Sequence, residues 1–507
     1  MSRGYFAALY EAGVPFALID TRERREHVDG HWFGSTNMPL SSLARTITRL
    51  VPDRGFPVHL LDWQDRASGA AATLLSQLGY QQLTIHQTSR PATFGNGFVK
   101  GEYVWSKAFG EVVAHGVDFP EVTPDSYMRH HQGAPLFDVR PTAEYRQFTI
   151  PTSQSLPNSL LLANLTALRN TGKTALLHCA GRTRSIIGAC TLKAAGYDGP
   201  FAVFRGGTQA WQLAGYDREH GADRRFATKD RGDDDVRGFL ERWRITSHEL
   251  TSGQLADFTA AHEGHLLFDV SDDSATGQVL VHGITRISGT NLIQQTDQSI
   301  ARYHVPVVLF DHGSASRAAF AAFWLTAMGF GVQIVRLGAH VPQAPDPHFE
   351  TRPNTAIPIL SAGRMIERRQ QQATLIDLRS SAAHAAQHLA GSAWRNISLM
   401  LNGAPDDRPV TLICGKTEDG CLAAELLTGH GWRVEGIYPW QDGDLPPSLL
   451  HSEPVDSPVD RSALFAGRHH GNLQDARDYL AWEEALPAQI DPLLHRMWHD
   501  HLARVLA

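Results

Sequence analysis

One sequence pattern occurs four times along the 507-residue chain and constrains its fold more than any other feature. Each copy begins with a short apolar run that reaches an aspartate, at residues 17–20, 136–139, 267–270 and 375–378. A second apolar run, a polar loop and a helix-forming segment rich in small residues follow, with the second runs at residues 57–62, 174–179, 306–311 and 409–414. Apolar strands that alternate with helices are typical of a mostly parallel sheet covered on both faces. The sequence therefore predicts an α/β fold made of four similar units.

The spacing of the copies indicates that each unit is a domain. The aspartates recur at intervals of roughly 110–130 residues, the size of one small domain with its own core. We expect four tandem domains of mostly parallel sheet flanked by helices, at residues 1–112, 117–225, 245–340 and 356–447. Linkers are expected where composition shifts, at residues 220–235, 339–358 and 446–460. Residues 460–507 should form a C-terminal tail of two helices, broken near Pro487 and Pro492.

Charge and cysteine content narrow the classes of function. A net charge of −7 argues against a nucleic-acid-binding protein and against one that binds membrane surfaces. Residues 1–11 lack the apolar core of a signal peptide, and no long apolar run is present. Four cysteines in 507 residues fit a reducing compartment. We therefore expect a cytoplasmic protein with no membrane or nucleic-acid partner. The tail histidines His495, His499 and His501 have no Cys or carboxylate at ligating spacing, so we expect no metal site there. We also expect no other cofactor.

The second unit carries the residues with the clearest chemistry. Cys179 ends an apolar strand and precedes a small, basic loop, and the apolar helix that follows has Ser185 at its predicted N-cap. Backbone N–H groups at a helix start and nearby guanidinium groups stabilise a thiolate over a thiol. The thiolate is the nucleophilic form of cysteine. The sequence thus predicts Cys179 as a nucleophile, with the substrate held by Ala180, Gly181, Arg182, Thr183, Arg184 and Ser185.

This unit resembles the rhodanese family. The resemblance rests on Asp-Val-Arg and Glu-Tyr at residues 136–145, on a degraded segment at residues 150–158, and on Phe-Arg-Gly-Gly with a following Trp at residues 203–211. It implies a sulfurtransferase in which Cys179 carries a persulfide between a small-molecule sulfur donor and a thiol or cyanide-like acceptor. The basic loop favours thiosulfate or a low-molecular-weight persulfide as the donor, and a protein acceptor stays open.

The other copies of the loop differ from the second. The first and third lack a cysteine at the equivalent position, so we predict that those units are inactive. Cys414 aligns with Cys179, but Glu418 and Asp419 follow it, and acidic neighbours disfavour a thiolate. Cys414 and Arg140 are therefore only possible secondary site residues.

Four further predictions concern the second unit. Arg184 should face an anionic substrate, Arg140 should pair with Glu144, and Cys190 and His178 should lie in the core.

Two other functions remain open from the sequence. A cysteine-based phosphatase or arsenate reductase can use the same fold, although its Cys-x5-Arg loop differs from the arginines found here three and five residues after Cys179. Alternatively, the inactive units could form a docking scaffold in which Cys179 is a non-catalytic sulfur carrier.

Overall fold

The computed structural model describes residues 5–226, 232–338, 341, 357–405 and 407–506. Most of the predicted linker at residues 339–358, and residues 227–231 of the linker at 220–235, lie outside the described residues. Within the described part, four sheets of four to six strands occur, and two neighbouring strands of each sheet lie on the predicted apolar runs. The predicted α/β fold class is confirmed.

The first sheet has the order β3-β1-β4-β5 and is parallel throughout. A two-stranded antiparallel ribbon, β2-β6, lies beside it. The strands of this region are β1 (Ala17–Asp20), β2 (His31–Trp32), β3 (Thr36–Asn37), β4 (Val58–Asp62), β5 (Leu83–Gln87) and β6 (Phe98–Val99). Its helices are α1 (Tyr5–Glu11), α2 (Arg24–Asp29), α3 (Leu43–Leu50), α4 (Arg66–Gln77) and α5 (Val104–Gly116).

The second sheet has the order β7-β11-β10-β8-β9 and is also parallel. Its strands are β7 (Glu121–Val122), β8 (Leu136–Asp138), β9 (Gln154–Ser155), β10 (Ala175–His178) and β11 (Phe201–Phe204). The helices are α6 (Pro124–Ser126), α7 (Thr142–Gln147), α8 (Leu165–Asn170), α9 (Thr183–Ala194) and α10 (Gly207–Leu213). The central strand β10 is buried along its length, as expected for a strand with helices on both faces.

The third sheet has the order β12-β17-β16-β13-β15-β14, and only its β14-β15 pair is antiparallel. Its strands are β12 (Ser247–Leu250), β13 (Leu266–Asp269), β14 (Thr276–Val279), β15 (Thr285–Ile287), β16 (Val307–Asp311) and β17 (Val332–Leu337). Its helices are α11 (Asp233–Arg242), α12 (Leu255–Ala261), α13 (Gly289–Gln294), α14 (Thr296–Ser299) and α15 (Ser316–Ala327).

The fourth sheet has the parallel order β20-β18-β21-β22, with an antiparallel ribbon, β19-β23, beside it. Its strands are β18 (Thr374–Asp377), β19 (His388–Leu389), β20 (Ser392–Trp394), β21 (Val410–Cys414), β22 (Val434–Pro439) and β23 (Leu450–His451). The helices are α16 (Ala362–Gln370), α17 (Ser381–Ala386), α18 (Ile397–Asn402) and α19 (Thr417–Gly429).

The C-terminal tail forms two helices, α20 (Leu473–Ala485) and α21 (Pro492–Leu506), joined through a short 3-10 turn at Leu486–Ala488. Pro487 and Pro492 lie at the break, as predicted. Trp498 of α21 is fully buried, and its ring packs within 6 Å of the rings of Phe33, Trp105 and Phe109. The tail therefore packs into the same aromatic core as the first sheet region and its helix α5. No helix among the described residues has the length and apolar character needed to cross a membrane.

Candidate active site around Cys179

Cys179 lies between the central strand β10 and the start of α9, at the carboxyl edge of the second sheet. Its side chain is only 2% exposed, and its Sγ atom lies 3.6 Å from the hydroxyl oxygen of Ser185. Ligands of parallel α/β sheets bind at this edge, beyond the carboxyl ends of the strands. Cys179 is therefore buried at the edge of the sheet where ligands bind in this class of fold.

A glycine pair after β11 fixes the backbone of the loop. The N–H groups of Thr208 and Gln209 donate hydrogen bonds of 3.0 Å to the carbonyl oxygens of Cys179 and Ala180. This contact requires glycine at position 207, where φ is +52° and a Cβ atom would lie 2.2 Å from the Cys179 oxygen. Because the carbonyls point toward this turn, loop N–H groups are left for a ligand. Among the described residues, the N–H groups of Gly181 and Arg182 donate no hydrogen bond.

The predicted N-cap at Ser185 is wrong. Helix α9 begins at Thr183 with Arg182 at the N-cap, three residues before the predicted position, and the Ser185 hydroxyl instead donates to the carbonyl of Arg182 at 2.8 Å. The cap comes from a distant part of the chain. The Glu483 carboxylate of α20 accepts a 2.6 Å hydrogen bond from the Thr183 hydroxyl and a weaker one, at 3.5 Å, from its N–H. An external carboxylate thus takes the place of a local capping side chain.

Both loop arginines are paired with glutamates. Arg184 donates to Glu144 at 2.6 Å, and Arg182 contacts Glu111 at 2.8 Å and Glu484 at 3.0 Å. Burial disfavours the charged form of Arg184, but Glu144 and Cys179 outweigh it and raise its pKa. The Arg184 guanidinium is therefore already paired with the Glu144 carboxylate.

The other residues of this region that were named from the sequence lie mainly in the core. Arg140 is buried and donates hydrogen bonds of 2.9 and 2.7 Å to the Asp138 carboxylate. Its predicted partner, Glu144, lies 4.0 Å away and is therefore a weaker contact. Burial opposes ionisation of Asp138, but Arg140 and His178 hold its pKa at about 2. His178 is fully buried, with its Nε2 atom 2.8 Å from the Ser153 hydroxyl, and Cys190 is also fully buried. The predicted core positions of His178 and Cys190 agree with the structure.

Five site residues come from outside the second sheet region and were not predicted from the sequence, and one of them is Glu484 of α20, described above. Lys107 and Glu111 lie on α5, and Tyr479 and Glu483 lie on α20. The Lys107 ammonium donates to the Tyr479 hydroxyl at 2.7 Å. Burial lowers the pKa of Lys107 to about 8, although Glu483 opposes the shift. Burial raises the pKa of Glu111 to about 7 against the opposing effect of Arg182. Helices α5 and α20 thus both contribute polar side chains around the loop.

Cys414 occupies the equivalent place in the fourth sheet, at the end of β21. It lies at the wall of a cavity of about 710 Å³ between the first and fourth sheet regions, whose lining includes Arg45, Arg379, Lys416 and Asp419. Burial, Asp419 and Cys421 raise the pKa of Cys414 to about 12. This cysteine lies in a site of similar topology but is held as a neutral thiol.

Comparison with known proteins identifies the region that contains the second sheet. The model of the rhodanese-like domain family matches residues 123–214. No curated protein matches the chain. A crystal structure of thiosulfate sulfurtransferase from Pseudomonas aeruginosa is 25% identical, with 96% of each chain covered and a TM-score of 0.77. An anaerobic ergothioneine biosynthesis enzyme from Chlorobium limicola is 14% identical over 66% of this chain and 95% of its own, with a TM-score of 0.25. Residues 123–214 therefore form a rhodanese-like domain, and the fold of the chain is similar to that of the Pseudomonas aeruginosa enzyme.

Proposed function

We propose that the protein is a sulfurtransferase that carries sulfane sulfur on Cys179. The observation that carries the proposal is the place of Cys179, between the central strand and the start of α9 inside the domain that matches the rhodanese model. Two further observations support it: the N–H groups of Gly181 and Arg182 donate no backbone hydrogen bond to the described residues, and Cys179 is among the groups that raise the pKa of Arg184. Free N–H groups at a helix start and a nearby guanidinium favour a thiolate in general. The similarity to a thiosulfate sulfurtransferase along nearly the whole chain supports the same reaction class.

The reaction has two steps of covalent catalysis. The Cys179 thiolate attacks the outer sulfur of the donor, whose S–S bond breaks, and the electron pair leaves on sulfite when the donor is thiosulfate or on a thiolate when it is an organic persulfide. An acceptor thiolate or cyanide then attacks the outer sulfur of the Cys179 persulfide and restores the Cys179 thiolate. Residues 180–185 are the proposed binding segment, and within it the N–H groups of Gly181 and Arg182, which donate no backbone hydrogen bond in the described part of the chain, are available to a developing sulfur anion. N–H groups directed at such a charge lower the barrier.

We also propose that the chain consists of four rhodanese-like repeats, of which only residues 117–225 are catalytic. The support is that an Asp–Arg ion pair recurs where the corresponding strand of each sheet ends. Asp20 pairs with Arg22, Asp138 with Arg140 and Asp377 with Arg379, each as the strand ends, whereas Asp269 pairs with Arg286 of the neighbouring strand. All four sheets thus share a buried aspartate paired with an arginine, whether or not the following loop has a cysteine.

The direct test is the mass of the intact chain after exposure to donor. Thiosulfate or glutathione persulfide should add one sulfur atom to wild type and to Cys190→Ser, since Cys190 lies in the core and takes no part. Cys179→Ser should take up no sulfur and should transfer none to cyanide, because a serine hydroxyl has no accessible anion near neutral pH. Sulfur transfer by a folded Cys179→Ser variant would overturn the proposal.

A further inference from the structure

Helix α20 forms the roof of the Cys179 loop. A Cβ atom at Gly181 would lie 2.6 Å from Oε2 of Glu483 and 2.7 Å from Cε1 of Tyr479, so the helix lies directly on the loop backbone. The indole N–H of Trp482 donates to the carbonyl of Lys100 at 2.8 Å and attaches the same helix to the segment before α5. A donor that reaches Cys179 must therefore approach side chains of α20.

The charges around the loop do not favour a strongly anionic ligand. The cations Lys107, Arg182 and Arg184 are accompanied by carboxylates that contact them or the loop, namely Glu111, Glu144, Glu483 and Glu484. The two arginines of the basic loop are thus both paired with carboxylates in the folded protein. Preference for a dianionic donor cannot come from unpaired loop arginines.

Glu483 stands out among these carboxylates because it occupies the place of an anionic ligand. Its Oε1 atom accepts from the hydroxyl and N–H of Thr183, at the N-terminus of the 12-residue helix α9, where backbone donors and the helix dipole attract anions. Its Oε2 atom is buried and has no hydrogen-bond partner among the described residues, although the residue is only 1% exposed. A buried carboxylate oxygen without a partner is costly, which points to a ligand group that satisfies it.

We propose that Glu483 is a specificity-determining residue of the Cys179 site, which disfavours thiosulfate and selects organic persulfides as sulfur donors. The inference rests on the proposed function. A thiosulfate dianion would bring two negative charges to a place that already holds a carboxylate. A persulfide R–S–SH presents a reacting end that is neutral when protonated, and its S–H can donate to Oε2. Cys179 bonds to the outer sulfur, the S–S electron pair leaves with RS⁻, and the proton of the transferred S–H goes to that thiolate.

The test compares donor selectivity, defined as the second-order rate of Cys179 persulfide formation with thiosulfate divided by the rate with glutathione persulfide. Glu483→Gln in the full chain removes the charge and keeps the shape, and it should raise this ratio ~10-fold or more, as loss of a close like-charge contact at low local dielectric would. The ratio separates selectivity from thiolate stability, because a change in the Cys179 thiolate affects both donors alike.

Two variants serve as controls. Glu484→Gln removes one charge from the neighbouring position of α20, where the side chain is 48% exposed and contacts Arg182 but not Thr183, and it should leave the ratio within ~2-fold. Glu483→Asp keeps the charge and should keep a ratio close to that of wild type. If Glu483→Gln loads sulfur with an unchanged or lower ratio, the inference is wrong while the proposed function stands. If wild type forms no Cys179 persulfide with either donor, both are wrong.

Discussion

At the scale of single residues, the loop depends on a glycine that no other residue can replace. Gly207 lies in the left-handed region and would place a Cβ atom 2.2 Å from the Cys179 carbonyl oxygen. Gly215 is a matched position, with φ of +87° and no atom within 4 Å of the place that a Cβ atom would take. Alanine at either position incurs the left-handed conformational cost of about 1–2 kcal/mol, but only at Gly207 does it also meet a backbone atom.

Gly207→Ala should therefore slow sulfur loading on Cys179 by ~10-fold or more, because the clash displaces the carbonyl and with it the thiolate. Gly215→Ala should load sulfur at the wild-type rate. The measurement is persulfide formation followed by intact mass, with circular dichroism to show that both variants are folded. Equal loading by both variants would mean that the Gly207 contact does not position Cys179.

At the scale of elements, the sequence was a good guide to strands and a poor one to the partners of the loop. The strands were predictable because buried parallel strands are continuous apolar runs, and β10 is one of them. The start of α9 was misplaced because its cap, Glu483, lies 300 residues away. The partners of Arg182 and Arg184 could not be read from local spacing, since Glu111 and Glu144 come from other helices.

The comparison of β10 with β21 yields a prediction for the second aligned cysteine. Burial and Asp419 keep the Cys414 thiol neutral, with its pKa raised to about 12, so it should act neither as nucleophile nor as relay near neutral pH. We expect Cys414→Ser to load and transfer sulfur within ~2-fold of wild type, since only the thiolate reacts. Peptide mass mapping at pH 8 should find added sulfur on Cys179 only. Sulfur on Cys414 in wild type that disappears in Cys179→Ser would instead establish a relay.

At the scale of the whole molecule, the C-terminal tail packs into the aromatic core through α21 and against the Cys179 loop through α20. Trp498 anchors α21 in the aromatic cluster of Phe33, Trp105 and Phe109, and the short turn at Leu486–Ala488 joins α21 to α20. Because α20 packs on the Cys179 loop, loosening of α21 should increase the solvent exposure of Cys179. We therefore expect the stability of the tail to affect solvent access to Cys179.

Trp498→Ala tests this connection. Removal of the buried indole should lower the free energy of unfolding by about 3–5 kcal/mol and raise the rate of Cys179 alkylation by iodoacetamide. Leu473→Ala is the control, because Leu473 begins α20 but is 39% exposed, and it should change neither quantity appreciably. Should Trp498→Ala lose stability while Cys179 alkylation stays at the wild-type rate, α20 must be held by its own contacts. Those are the Lys107 bond to Tyr479 and the Trp482 bond to the Lys100 carbonyl, and the roof would then be independent of the core.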